Sequence, residues 1–521
     1  MRASSRPAVL GTALLSLWVV LAFVLWPRTP VVERSDCVPI ERVLWCSHVV
    51  TAQFGTVPGF VRIDRRGKLS AVHPGSMADA EAYAHANSLP VELHREMTLS
   101  PGVVDLKVQL ASLRRSWEGY AFGTRAAVAG GVTTLIDGPY GSDPAAIGKH
   151  ELQLHMRAAA TDVLSAHVGF SAGLTPAVAR DPLAIFSLAT AGALAFQAVM
   201  SPVHEEVHAE PLNADALVAA AEPISRTQLP LIVRAELGQE EDLRAKQTQA
   251  VFEYEADRDD HVTHFRTRPP EWQAAGLAAI AEALQAVSGV RVHASSVAVA
   301  DEETSAALTR AREAGGARFT ADTSPHYLVL EAFAIRPGDT RCKAEPAVRD
   351  EENRARLWTL LGRGIVDMVT SDHAPCPPDL RAEGDFLTSW AGIAGLQFAL
   401  QATWTEARKR GHSVGTLAKW LSERPARLMG LEGRKGEIRI GADADLVLWD
   451  PAAVVRPPHA EFHRQKASPF ANVTLHGRIE ETIVAGVPAF AHGHHTHNFC
   501  GSVLLSRSAH TAGATWTATS G

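Results

Sequence analysis

An α/β fold built on a parallel (β/α)8 TIM barrel is what the 521-residue chain predicts, and three observations lead there. Between residues 99 and 434, short apolar runs suited to strands alternate with amphipathic stretches at helical spacing, the pattern of strand–helix–strand units. No Gly-rich dinucleotide turn follows an early strand, which disfavours the open doubly wound alternative. Two β-rich segments flank this middle, so a small discontinuous β-sandwich assembled from both ends of the chain is expected beside the barrel.

In chain order, residues 1–30 form a hydrophobic helix. Residues 8–26 carry no charge, Arg2 and Arg6 precede them, and Pro27 ends them. That length suits a single-pass membrane anchor with the barrel lumenal or extracellular; secretion after signal cleavage is the alternative. Residues 31–98 supply the first part of the sandwich, with strands at 42–50 and 59–72 around the turn Arg65-Arg66-Gly67-Lys68. The barrel occupies 99–434, with strands expected at 102–110, 132–136, 193–200, 229–235, 290–294 and 365–370 and helices at 273–288 and 301–314. Residues 435–490 complete the sandwich through 436–449 and 482–490. Residues 491–521, with His492, His494, His495 and His497, read as a disordered tail.

Composition narrows the functional classes. With 46% hydrophobic and 21% charged residues the chain is globular, and a net charge of -7 leaves no basic footprint for nucleic acid. Five cysteines make no disulfide framework. In an oxidising compartment Cys37 and Cys46 are candidates for a pair, whereas Cys342 and Cys376 read as buried thiols in barrel loops.

Several motifs recur in one order: Pro101-Gly102-Val103-Val104-Asp105, Trp117-Glu118-Gly119, Ala129-Gly130-Gly131-Val132-Thr133-Thr134, Arg268-Pro269-Pro270-Glu271, Ser324-Pro325-His326-Tyr327-Leu328, and Ser371-Asp372-His373-Ala374-Pro375-Cys376-Pro377-Pro378. Arg434-Lys435-Gly436 and Gly441-Ala442-Asp443-Ala444-Asp445 follow. Together they resemble the amidohydrolase superfamily, within it the allantoinase, dihydroorotase and dihydropyrimidinase group, and most of all allantoinases.

The resemblance implies a binuclear zinc centre at the barrel mouth, held by two His of the first strand, a carbamylated Lys, two further His and an Asp. Two such ions polarise a ring carbonyl and lower the pKa of a bridging water, while the Asp manages its proton. Position by position, Lys107 and Gln109 stand for the first-strand pair, Gln197 for the bridging Lys and Arg234 for the next His. His293 and Asp372 alone match, Asp372 being the general-base position. Gln is a weak carbonyl donor, Arg stays protonated and a protonated Lys has no free lone pair, so zinc is not expected as a cofactor. A salt bridge from Lys107 or Arg234 to Asp372 is expected in its place. By the same resemblance His326, His373 and Lys343 fall beside the substrate pocket.

Two functions from different classes follow. One is a pseudoenzyme, membrane-anchored and acting by association, as a homo-oligomer or with an active relative. The other is an active cyclic-amide hydrolase of purine catabolism, converting allantoin to allantoate through an atypical or single-metal site. Binding of a small ureide without turnover is a third possibility.

Overall fold

The computed structural model describes residues 37–141, 143–203, 210–253, 257–381, 384–457 and 462–506. The apolar segment 8–26 lies outside them, and none of the described helices is long and apolar enough to cross a membrane.

The chain begins with four strands, β1 (Arg42–Thr51), β2 (Gly55–Ile63), β3 (Leu69–Pro74) and β4 (Val91–Pro101). Eight parallel strands follow: β5 (Val103–Val108), β6 (Val132–Asp137), β7 (His167–Gly173), β8 (Ala195–Val199), β9 (Leu231–Arg234), β10 (Val292–Ser295), β11 (Phe319–Thr323) and β12 (Met368–Val369). They pair in chain order from β5 to β12. Past β12 the sheet curls back to its start, where Val108 and His373 form a parallel bridge and the Gln109 N–H donates to the His373 carbonyl at 2.8 Å. All five residues of β8 are buried, as strands covered on both faces require. Helices between the strands begin on side-chain caps, Asn213 accepting from Ala216 N–H, Asp301 from Thr304 and Asp350 from Asn353.

Four late strands, β13 (Leu446–Val455), β14 (Leu475–Val484), β15 (Val487–Ala491) and β16 (His494–His495), return to the beginning. β13 pairs antiparallel with β4, so both ends of the chain share one mixed sheet ordered β16-β15-β14-β13-β4-β1-β2-β3. Alternation along β1 buries both faces. Leu44 and Cys46 join Ile63, Leu99, Leu446 and Ile483 in one apolar cluster, while Val43 and Trp45 pack with Phe60 against the helix Met77–Ala86.

The structure departs from the sequence expectations in four places. β7 and β11 are additional strands. Residues 436–441 are not a strand but a turn that brings Lys435 to Asp443 and Asp445. Cys37 bonds Cys500 and not Cys46, which is buried inside β1 where its thiol packs against Ile63 and Leu69. Residues 491–506, expected as the start of a disordered tail, are ordered. The Val168 N–H donates to the Ser502 carbonyl and the Leu504 N–H to the Val168 carbonyl, while Leu504 is buried among barrel residues. The four histidines are dispersed along this segment: His492 pairs with Glu480, and His495 packs edge-on against Phe462.

Barrel and sheet are joined by a charge cluster. Lys435, 1% exposed, contacts Asp445 and lies 2.8 Å from Asp443, which also holds Lys68 and, at 3.0 Å, Arg434; His167 of β7 lies 3.5 Å from Asp445. Burial alone would raise the Asp445 carboxyl, but Lys435 and His167 reverse this and hold it far below the ordinary carboxylate range. A depressed carboxylate contributes stability that is present above about pH 4, its unfolded value, and lost as pH falls toward the folded one. Lys435→Met leaves the two aspartates without their buried partner. The expected loss is about 3–5 kcal/mol in urea melts at pH 7, shrinking as the pH is lowered below 4.

Candidate functional site

A cleft opens at the C-terminal ends of the barrel strands, where a parallel barrel gathers its loops. Its empty space, mouth included, is about 770 Å³. Lys107 and Gln109 reach it from the end of β5, Gln197 from β8, Arg234 from β9, Ser295 from β10, His326 from the short helix Pro325–Val329 after β11, and Asp372 from the loop after β12.

An ion pair forms its floor. Lys107 Nζ lies 2.9 Å from Asp372 Oδ1 and donates to Ser296 Oγ at 2.7 Å, and Ser296 Oγ donates to Asp372 Oδ2 at 2.8 Å. Burial pushes the Asp372 carboxyl up, yet Lys107, His326 and the Ser296 hydroxyl together hold it below its usual value. Asp372 and Ser296 both adopt left-handed backbone, φ 49° and 58°. Strain of that kind, of order 1–3 kcal/mol per residue, persists only where surrounding contacts over-determine it. Here the triangle of Lys107, Ser296 and Asp372 does so.

Ser296 is fixed from behind by Asp322. One oxygen of Asp322 accepts the Ser296 N–H at 2.6 Å, and the other meets His293 Nε2 and Thr370 Oγ1, each at 3.0 Å. His293 Nδ1 pairs with Thr320 Oγ1 at 2.8 Å. His293 is thus fully buried with both ring nitrogens engaged, behind the cleft and not in it. Gln197 Nε2 donates to Ser171 Oγ at 3.0 Å. Arg234 Nε and Nη2, Gln109 Oε1 and both ring nitrogens of His326 are buried without a hydrogen-bond partner. Burial, modulated by Asp372 and Lys107, brings the His326 imidazole down to about 4, so it is neutral at physiological pH.

Two residues placed beside the pocket by sequence lie elsewhere. His373 points away and is fully buried, stacked on His463 at 4.7 Å, and burial with that neighbour keeps it neutral. Lys343 Nζ donates to the carbonyls of Leu387 and Ser389 at 3.2 and 2.5 Å; burial lowers it to about 8, with Glu345 opposing. The backbone between motif residues directs alternate side chains in different directions, which proximity in sequence does not reveal. Conversely, Ser296 and Tyr140 hold the site together without any signal in the sequence. The Tyr140 hydroxyl lies 2.7 Å from the carbonyls of Leu174 and Gln197 and braces the cleft wall.

A binuclear zinc centre does not fit these residues. Lys107 is committed to Asp372 and Ser296, Arg234 has no lone pair to give, and both nitrogens of His293 are taken. Among the described residues no three His, Cys, Asp or Glu side chains converge to hold a metal.

The amidohydrolase family profile matches residues 93–489. The chain belongs to the amidohydrolase family. A probable allantoinase of Oryza sativa subsp. japonica is 34% identical over 464 residues, 86% of this chain and 89% of the relative. The allantoinase of Arabidopsis thaliana is 35% identical over 425 residues, 79% and 81% of the two chains. Among solved structures, the L-hydantoinase (dihydropyrimidinase) from Arthrobacter aurescens superposes with a TM-score of 0.77 at 21% identity, covering 90% of this chain and all of the other. Within the family the chain is allantoinase-like, and the hydantoinase likeness establishes the fold: a barrel with an accompanying sheet.

The floor pair carries a testable stability term. Lys107→Met strands a buried carboxylate and is expected to cost about 3–5 kcal/mol at pH 7, whereas Lys107→Met with Asp372→Asn recovers most of it. Because Asp372 is depressed in the folded protein, the Lys107→Met loss shrinks as pH falls through about 4. A double-mutant cycle by urea melts at pH 7 and pH 4 measures both effects.

Proposed function

We propose that the chain is a ring-opening cyclic-amide hydrolase for an allantoin-type ureide, working through an atypical, metal-free site at the barrel mouth. The observation that carries this reading is a fixed cation and an ionised carboxylate within one cleft, Lys107 and Asp372 at 2.9 Å, in a chain allantoinase-like along most of its length. Asp372, kept ionised by Lys107, can accept a proton from a water attacking a ring carbonyl and return it to the ring nitrogen as the C–N bond breaks. The Lys107 ammonium, with the Arg234 guanidinium across the cleft, can offset the charge that develops on the carbonyl oxygen. Neither group generates hydroxide. Water unassisted by a metal keeps a pKa near 15.7, against about 7 on zinc, so slow turnover is expected.

One observation favours a second reading. Both oxygens of Asp372 and two donor directions of Lys107 are already satisfied within the floor triangle. A site so self-contained suits a protein that binds a ureide without opening it and acts by association, as a homo-oligomer or with an active relative.

One assay separates the two. Purified full-length protein, dialysed against a chelator and checked for metal content, is given allantoin and the formation of allantoate is followed. The first reading expects turnover that survives the chelator and falls at least about a hundredfold in Asp372→Asn. Binding with no turnover above the uncatalysed rate supports the second. Turnover that vanishes on chelation and returns with zinc overturns the metal-free site.

A further inference from the structure

The charges lining the cleft divide into settled and unsettled ones. Asp372 is neutralised by Lys107 at 2.9 Å, and Glu345 by Arg268 at 3.1 Å. Glu236, two residues beyond Arg234, is turned toward Arg268 and the Ser201 hydroxyl, at 3.4 and 3.2 Å. The Arg234 side chain lines the cleft and makes no hydrogen bond or ion pair among the described residues, with Nε and Nη2 both withdrawn from solvent. Two guanidinium nitrogens taken out of water with no partner are a costly arrangement that the fold alone does not relieve.

Beside it stand two more unsatisfied polar groups. Gln109 Oε1 is a buried acceptor without a donor, and His326, 2% exposed, presents two ring nitrogens with no partner. Both side chains line the same cleft as Arg234. The set therefore offers a planar forked cation, an amide acceptor, and an imidazole that as a neutral ring gives one N–H and takes one. A carboxylate matches the fork of a guanidinium with two parallel hydrogen bonds, and a ureido group supplies N–H donors for Gln109 and a carbonyl for His326. A closed neutral ring supplies the second kind of group but not the first.

We infer that Arg234 anchors a carboxylate-binding subsite, and that the cleft holds a small ureido acid, the ring-opened form of the ligand, in preference to the neutral cyclic ureide. The inference rests on the ureide reading of the cleft and adds the charge of the ligand to it. Four metal-ligand positions of the family are altered here, and two of the replacements are cations. Lys107 has its counter-charge within the protein; Arg234 is left for an anion.

Titration calorimetry on the full chain at pH 7, with allantoate and with allantoin as separate probes, tests it. Allantoate is expected to bind at least about tenfold tighter than allantoin, a difference one charge-assisted bidentate contact can supply. Arg234→Gln is expected to abolish that preference, weakening allantoate at least about tenfold more than allantoin, and Arg234→Lys to keep part of it. Should Arg234→Gln fail to melt cooperatively, the wild-type preference measured at rising NaCl replaces it, and is expected to shrink with salt. Allantoin binding as tightly as allantoate, or a preference that survives Arg234→Gln or is indifferent to salt, overturns the subsite and spares the ureide reading. Binding of neither probe overturns both.

Discussion

The Lys107–Asp372 pair is the contact on which the barrel mouth depends. It joins the end of the first barrel strand to the loop after the last, at the seam where Val108 bridges His373. Through Ser296 it also reaches the tenth strand, and through Asp322 it reaches His293 behind the wall. Just below, Asp105 accepts the Ser371 N–H across the same seam. The strained φ angles of Ser296 and Asp372 are intelligible only as parts of this closure.

A buried ion pair seldom adds much net stability, because desolvating two charges cancels most of their attraction. What it does strongly is penalise the loss of either partner. The pair therefore makes the seam all-or-none: both charges in place, or a carboxylate stranded among side chains. Its reach is also one-sided. Strands β5, β10 and β12 are drawn together, while Gln109, Arg234 and His326 are left with polar atoms that nothing in the described fold satisfies. A closed half and an open half share one cleft.

Much of this was legible in the sequence, for reasons specific to each segment. The eighth and ninth strands announced themselves as short apolar runs, Ala195 to Val199 broken by Gln197 alone, and Leu231 to Val233. The seventh, His167-Val168-Gly169-Phe170-Ser171-Ala172-Gly173, and the eleventh, Phe319-Thr320-Ala321-Asp322-Thr323, were hidden by polar and glycine residues that pair inside the barrel. Gly169, for example, has the Leu194 side chain where a Cβ would sit, so its small size reflects packing and not a turn. The position of Asp372 and the replacements around it could be read from motifs. Orientation could not: His293 matched its motif yet faces Asp322, and His373 adjoined Asp372 yet stacks on His463. The order of residues 491–506 was not legible because it comes from distant partners, Cys37 and Val168, which no local pattern encodes.

The two cations of the cleft stand on different physical footings. An apolar residue at position 107 would leave the Asp372 carboxylate without a counter-charge, and Lys107 fills that need. Arg234 fills no such need. Glu236 and Glu345 both face Arg268, and Arg234 pairs with neither. A drifting side chain free to choose would turn such a group to solvent. Its half-buried position, in one cleft with a neutral imidazole and an unpaired amide oxygen, is the signature of a partner that arrives from outside.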